Sequence, residues 1–265
     1  MKRVLITAAL LAALASLAPA QAGQTCSTER PTTAKVARSL ELAERTARAL
    51  DASGARVVVL ARAGQDLGRW GLRWSHLGWA YRADAGASGR GTWRVVHKLN
   101  ACGTAEGALF RQGLGEFFLD DLFEPVAAYA VPTLAVQAHL LMLLQDNARA
   151  AQLHHAPYSM VAYPWARRYQ QSNQWAIETL AHAEEPMATD RERAQAWLRL
   201  KGYQPSALRI DAMTRLGARV GTANVAFDDH PSSQRFADRI ETVTVDSVFA
   251  WLQRAGLAGG VNIVH

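Results

Sequence analysis

Cysteine is nearly missing from this chain: 265 residues hold only Cys26 and Cys102, so at most one intrachain disulfide can form. No block of five or six basic residues occurs, which removes the usual electrostatic footprint of nucleic-acid binding. The HExxH spacing of a metal-binding helix is absent. Low-complexity linkers and internal repeats are missing too, which argues against a string of modules.

What is present begins with an export signature. Lys2 and Arg3 precede an apolar run from Leu5 to Leu17, and Ala20-Gln21-Ala22 supplies a small-residue cleavage site. The run is shorter than the about 20 residues needed to cross a bilayer. Residues 1–22 are therefore expected to be a signal peptide and the protein to be periplasmic or secreted. Without the leader, 27 basic residues face 23 acidic ones, a mild surplus of +4. In an oxidising compartment the two cysteines are expected to pair, closing a long loop worth roughly 3–5 kcal/mol. Cys102 as a nucleophile is the competing reading.

The rest, residues 23–265, is long enough for one core and is expected to form a single domain. Val36, Leu40, Ala43, Ala47 and Leu50 are spaced as one face of a helix that opens at Thr33 and stops before Gly54. Arg56–Ala61 (RVVVLA) reads as a buried strand. Trp74–Arg82 and Thr92–Leu99 flank a Gly- and Asp-rich loop and read as a hairpin. Residues 125–145 carry no charge and resemble a membrane span, but Pro132, Gln137 and His139 favour a helix over Val131–Ala151. Further helices are expected from Ser172 or Asn173 to Ala183, over Asp190–Leu200 and from Asp246 to about Ala255. Gly217 and Asp228–Pro231 are read as loops, Val243 and Val245 as a strand, and the C-terminus as a short apolar tail.

Alternation along the hairpin places His76 with Gly78 and Ala80, and His97 with Trp93, Val95 and Leu99, opposite Arg94 and Lys98. Two histidines on neighbouring strands, followed about 75 residues later by the polar helix start YQQSNQW, supply a base, an orienter and a nucleophile in that order. The candidate catalytic residues are His76, His97 and Ser172, with Asn173 and Gln174 as pocket-lining amides. A helix N-terminus favours negative charge nearby. The structural alternatives are a hydrogen-bonded core pair for the histidines, a helix cap for Ser172, and satisfied backbone for the amides. Asp228, Asp229 and His230, aided by His154 and His155, form a weaker metal-binding candidate, and neither a metal nor a cofactor is expected. Trp70, Trp74, Trp79 and Trp93 suit either sugar stacking or a core. Glu178 is expected to pair with Arg167 or Arg168 in a structural role.

SHLGWAYR followed by a strand ending in VVH resembles the circularly permuted NlpC-type papain-like group, including lecithin:retinol acyltransferase-like enzymes. In that group a motif close to N-C-x-x-F-V opens the catalytic helix; laid on this chain it falls on residues 171–176, with Ser172 where the relatives carry cysteine. The resemblance implies a permuted papain-like α+β fold, with an antiparallel sheet packed against helices. It further implies a hydrolase or acyltransferase acting on an amide or ester of the cell envelope, with a small molecule, peptide or lipid as partner. A catalytically inactive domain that binds such a ligand or a protein is the alternative. SHLGWAYR, VVHKLNACGT, YQQSNQW, NVAFDDHP and TVTVDSVFAWL also resemble the uncharacterised bacterial domain-of-unknown-function family 2145.

Overall fold

The computed structural model describes residues 31–83, 91–101, 103–120 and 122–265. The expected signal peptide, Cys26 and Cys102 lie outside the described residues. The fold is α+β. Strands β1 (Val57–Ala63), β2 (His76–Arg82), β3 (Trp93–Asn100), β4 (Gly107–Gly113), β5 (Glu124–Pro132) and β8 (Ala258–Val264) form one antiparallel sheet in the order β4-β3-β2-β1-β5-β8. A smaller sheet pairs β6 (Ser206–Arg209) with β7 (Arg239–Thr242).

The run VVVLA in β1 is apolar throughout because both faces of the large sheet are covered. Val57, Val59 and Ala61, with Leu77, Trp79 and Val96, pack beneath α3 (Leu134–Gln145), α5 (Ser172–Glu184), α6 (Arg191–Leu200) and α9 (Val245–Arg254). Val58 and Leu60, with Ala80 and Val95, pack beneath α1 (Thr33–Ala52) and α2 (Leu114–Leu119). Side-chain alternation sends each set to its own layer. Burying a Val or Leu side chain contributes about 1.5–3 kcal/mol, so the sheet is the framework on which the rest is built.

The structure refines several expectations. The helix expected over Val131–Ala151 is three elements. Pro132 ends β5, Thr133 caps α3 by accepting from the Val136 N–H, and Asp146 opens the short α4 (Asn147–Ala151). The stripe that α1 buries runs through Ser39, Leu42, Ala43, Thr46 and Leu50, leaving Leu40 on the surface. Gly217 lies within α7 (Ala212–Gly221) rather than a loop, and α8 (Ser232–Phe236) follows the Asp228–Pro231 turn. The strand expected at Val243 and Val245 is displaced: β7 ends at Thr242 and Val245 begins α9. The expected apolar tail is the edge strand β8. Among the described residues no helix is long and apolar enough to cross a membrane.

Candidate functional site

His76 opens β2 and His97 sits near the middle of β3, and the two rings meet across the strand pair. His76 Nε2 lies 2.8 Å from His97 Nδ1, and His97 Nε2 lies 2.8 Å from the Gln112 side-chain oxygen on β4. The direction of these bonds follows from the last partner. A carbonyl oxygen only accepts, so His97 Nε2 carries a proton; neutral His97 then accepts at Nδ1, and His76 Nε2–H donates to it. His76 Nδ1 has no hydrogen-bond partner among the described residues. Among the described residues the relay therefore ends in one unpartnered lone pair.

Gly78 makes the pairing geometrically feasible. A Cβ at this position would lie 2.8 Å from Val95 Cγ1 and 2.9 Å from His97 Cβ. The space beside both rings is occupied by Phe117 of α2, whose ring centroid lies 5.9 Å from that of His76 and 5.2 Å from that of His97. The histidines thus belong to the layer of α1 and α2. Helix α5 covers the opposite face, where Trp79 donates to the Ala176 carbonyl at 2.9 Å and Leu77 N–H to Asn173 at 3.1 Å. His76 reaches the α5 side only because it is the first residue of its strand, where the sheet ends in a cleft.

That cleft has two lobes sharing His76, Ser75, Tyr158, Met160, Gln65 and Ser172. The polar lobe, about 270 Å³, adds Arg62, Asn100 and Asp120. Arg62 is the cross-strand partner of His76, donates to the Phe117 carbonyl and pairs with Asp120. The second lobe is apolar, walled by Leu72, Trp70 and Trp74 on one side and Leu208, Ile210 and Val243 on the other.

Ser172 is the first residue of α5, and Gln171 holds the cap position without a capping side-chain bond. The Ser172 hydroxyl therefore does not serve as the cap. It lies 3.2 Å from the Tyr158 hydroxyl. Among the described residues it makes no hydrogen bond to either imidazole. Unliganded sites commonly tighten such contacts only when substrate binds. Burial pushes the Tyr158 pKa up, so the phenol keeps its proton.

Asn173 lines the apolar lobe, but its amide is spent on backbone, accepting from Leu77 N–H and donating to the Val243 carbonyl at 3.1 Å. Gln174 points into the protein, donating to the Pro164 carbonyl and to Glu178. Glu178 pairs with Arg191, not with Arg167 or Arg168, which instead hold Glu192 and Asp228. Asp229 and His230 bond one another and the neighbouring backbone, His154 bonds the Gly107 carbonyl and His155 the Arg168 carbonyl. Among the described residues no group of three His, Cys, Asp or Glu side chains could hold a metal ion. The tryptophans divide: Trp79 and Trp93 are core on opposite faces, while Trp70 and Trp74 wall the apolar lobe. Sequence reasoning missed Gln112, Arg62 and Tyr158. Arg62 was legible as a charge inside an apolar strand; Tyr158 sits in a loop with no local signal.

Burial, then the Arg62 charge and His97, hold the His76 pKa well below its usual value. Burial, then Arg62, lowers that of His97 to about 4. Both rings are neutral at pH 7. In the unfolded chain they take protons near pH 6.5, whereas the folded protein refuses them until about pH 4 at His97. Stability is therefore full above pH 6.5 and falls on acidification, by about 1.4 kcal/mol per pH unit for each such histidine. Urea unfolding at pH 7.5, 6.0 and 5.0 should show the decline, and His97→Gln should flatten it. A stability unchanged between pH 7 and 5 would contradict a neutral buried pair.

No curated protein and no solved structure matches the chain. Residues 49–252, more than three quarters of the sequence and a span that includes every residue of the relay and the start of α5, match a family described as an uncharacterized protein conserved in bacteria: the chain belongs to domain-of-unknown-function family 2145.

Proposed function

We propose that this protein is an exported hydrolase or acyltransferase of permuted papain-like organisation, acting on an amide or ester of the cell envelope. The observation that carries the reading is the relay: Gln112 fixes His97, His97 fixes His76, and His76, whose other ring nitrogen has no partner among the described residues, lines the same cleft as Ser172. In this scheme Ser172 Oγ attacks the carbonyl carbon and passes its proton to His76 Nδ1, while His97 steadies the imidazolium. The oxyanion forms beside the first N–H groups of α5, where the helix dipole favours negative charge. His76 then returns the proton to the departing amine or alcohol, and water or a second hydroxyl takes the acyl group from Ser172.

A fluorophosphonate probe tests this on the purified protein. Ser172 should be the labelled residue on peptide mapping, Ser172→Ala should lose the label, and His76→Gln should slow labelling at least tenfold with its circular dichroism unchanged. A chain that takes no label and cleaves no envelope-derived amide or ester would end the proposal. The alternative is an inactive domain that binds an envelope ligand in the same cleft. It is favoured by one observation, the engagement of the Ser172 hydroxyl by Tyr158. Tyr158→Phe separates the two: faster labelling fits an enzyme whose nucleophile the phenol restrains.

A further inference from the structure

The apolar lobe of the cleft offers nothing that a charged group would need. Among the described residues lining it there is no lysine, arginine, aspartate or glutamate. The amides and hydroxyls that it does not share with the polar lobe are already bonded within the protein. Asn173 bonds the backbone of Leu77 and Val243, and the Thr244 hydroxyl accepts from the Ser247 N–H. The Gln171 amide donates to the Thr242 hydroxyl, which itself donates to the Ala162 carbonyl. A carboxylate or ammonium placed here would lose its hydration with nothing in return.

The lobe is also small, about 120 Å³. An apolar cavity of about 150 Å³ holds one benzene molecule, so there is room for an aryl ring or a branched chain of that size. A long alkyl chain would leave most of its carbons in water.

The two lobes divide a substrate in a definite sense, because His76 must hand its proton to the leaving group. The polar lobe adds the surroundings of that base: Arg62, its cross-strand partner, and Asp120, which pairs with Arg62. The apolar lobe adds Gln171 and Asn173, which flank Ser172 at the start of α5, where the oxyanion forms. The leaving group therefore lies in the polar lobe and the acyl group in the apolar one. The Arg62–Asp120 pair is neutral as a whole, and Asn100 beside it supplies an amide, which suits an uncharged, hydroxylated alcohol or amine.

We infer that the apolar lobe receives a compact, uncharged apolar group about the size of an aryl ring, as the acyl part of an ester or amide whose leaving group is hydroxylated. The acyl assignment rests on the Ser172 reading; the size and charge of the group rest on the lobe itself.

Glycerol monoesters of acetic, phenylacetic, decanoic and succinic acids test it on the purified protein, with the released acid followed by pH-stat. The kcat/KM of the phenylacetyl ester should exceed each of the others at least tenfold. Leu208→Trp, at a half-buried wall position, should lower the phenylacetyl-to-acetyl ratio at least fivefold. Trp70→Ala, also half-buried, should raise the decanoyl-to-phenylacetyl ratio by as much. Leu72→Trp is the second filling variant should Leu208→Trp fold poorly. Turnover without that preference, or a preference that no variant moves, overturns the inference and leaves Ser172 as the nucleophile. A chain that turns over none of the esters and takes no label ends the Ser172 reading instead, and binding then judges the lobe. In calorimetric titration of Ser172→Ala, phenylacetamide should have a Kd at least tenfold below those of acetamide and succinamate, and Leu208→Trp should remove the difference. That result upholds the size and charge of the group without any turnover; equal affinities overturn the inference.

Discussion

Replacing Glu178 with alanine is expected to lower the thermal midpoint by about 10–15 °C. Its carboxylate is fully buried and takes five hydrogen bonds: two from Arg191, at 2.8 and 3.2 Å, and one each from the amides of Gln170, Gln174 and Gln195. Arg191 also donates to the carbonyls of Ala166, Arg167 and Tyr169, so the pair ties the 166–170 segment to α5 and α6. Removing the carboxylate leaves a buried guanidinium without its counter-charge and takes one of two acceptors from each of three amides. Breaking a buried pair from one side costs about 3–5 kcal/mol, and each kcal/mol moves the midpoint of a domain this size by about 2–4 °C. Glu178→Gln keeps an acceptor but turns an NH₂ group toward Arg191, and should fall between wild type and alanine. Calorimetry measures both. A shift below 3 °C for alanine would mean that water enters and solvates Arg191, and that the cluster is not the anchor described here.

Elements whose pattern is local were readable in advance, and those whose meaning depends on distant chain were not. VVVLA announces a strand covered on both faces, and SHLGWAYR with WRVVH announces a hairpin whose alternation brings two histidines together. Residues 125–145 read as one uncharged run because a buried strand and a buried helix share the same composition; only the Thr133 cap divides them. The stretch around Gly217 read as a loop because its apolar residues face outward and glycine weakens a helix. Glu178 invited pairing with the arginines nearest in sequence, but an α-helix points it toward α6, where Arg191 lies 13 residues on. At the site, His76 and His97 were put forward as a pair from their neighbouring strands, but Gln112, which completes the relay, was not. The face that α5 covers was not legible either, since it depends on which layer Phe117 fills.

Lys98→Met should be nearly as costly as the loss of Glu178, at a position that reads as surface. It follows His97 on β3 and points to the other face, where it is completely buried. Its ammonium donates to the His155 carbonyl at 2.5 Å, the Gln170 carbonyl at 2.7 Å and the Gln170 side chain at 3.0 Å, using all three of its N–H bonds. Burial, with Arg191 adding and Glu178 opposing, lowers its pKa to about 7, while the three acceptors favour the charged form. Methionine fills the same channel without donors, and each carbonyl left unpaired costs about 1–3 kcal/mol, so a loss of about 3–5 kcal/mol is expected in urea unfolding. Arginine should not rescue it. The channel is lined by Gly107, where even a Cβ would lie 2.4 Å from Lys98 Cε. Because Gln170 bonds both Lys98 and Glu178 and lies two residues before Ser172, the two variants share one network, and their combined cost should fall short of the sum. One strand thus serves both sides of the candidate site: His97 fixes the base from one face of the sheet, and Lys98 fixes from the other the chain that delivers Ser172. Strict additivity in a double-mutant cycle would break that link, and would leave α5 positioned by its packing alone.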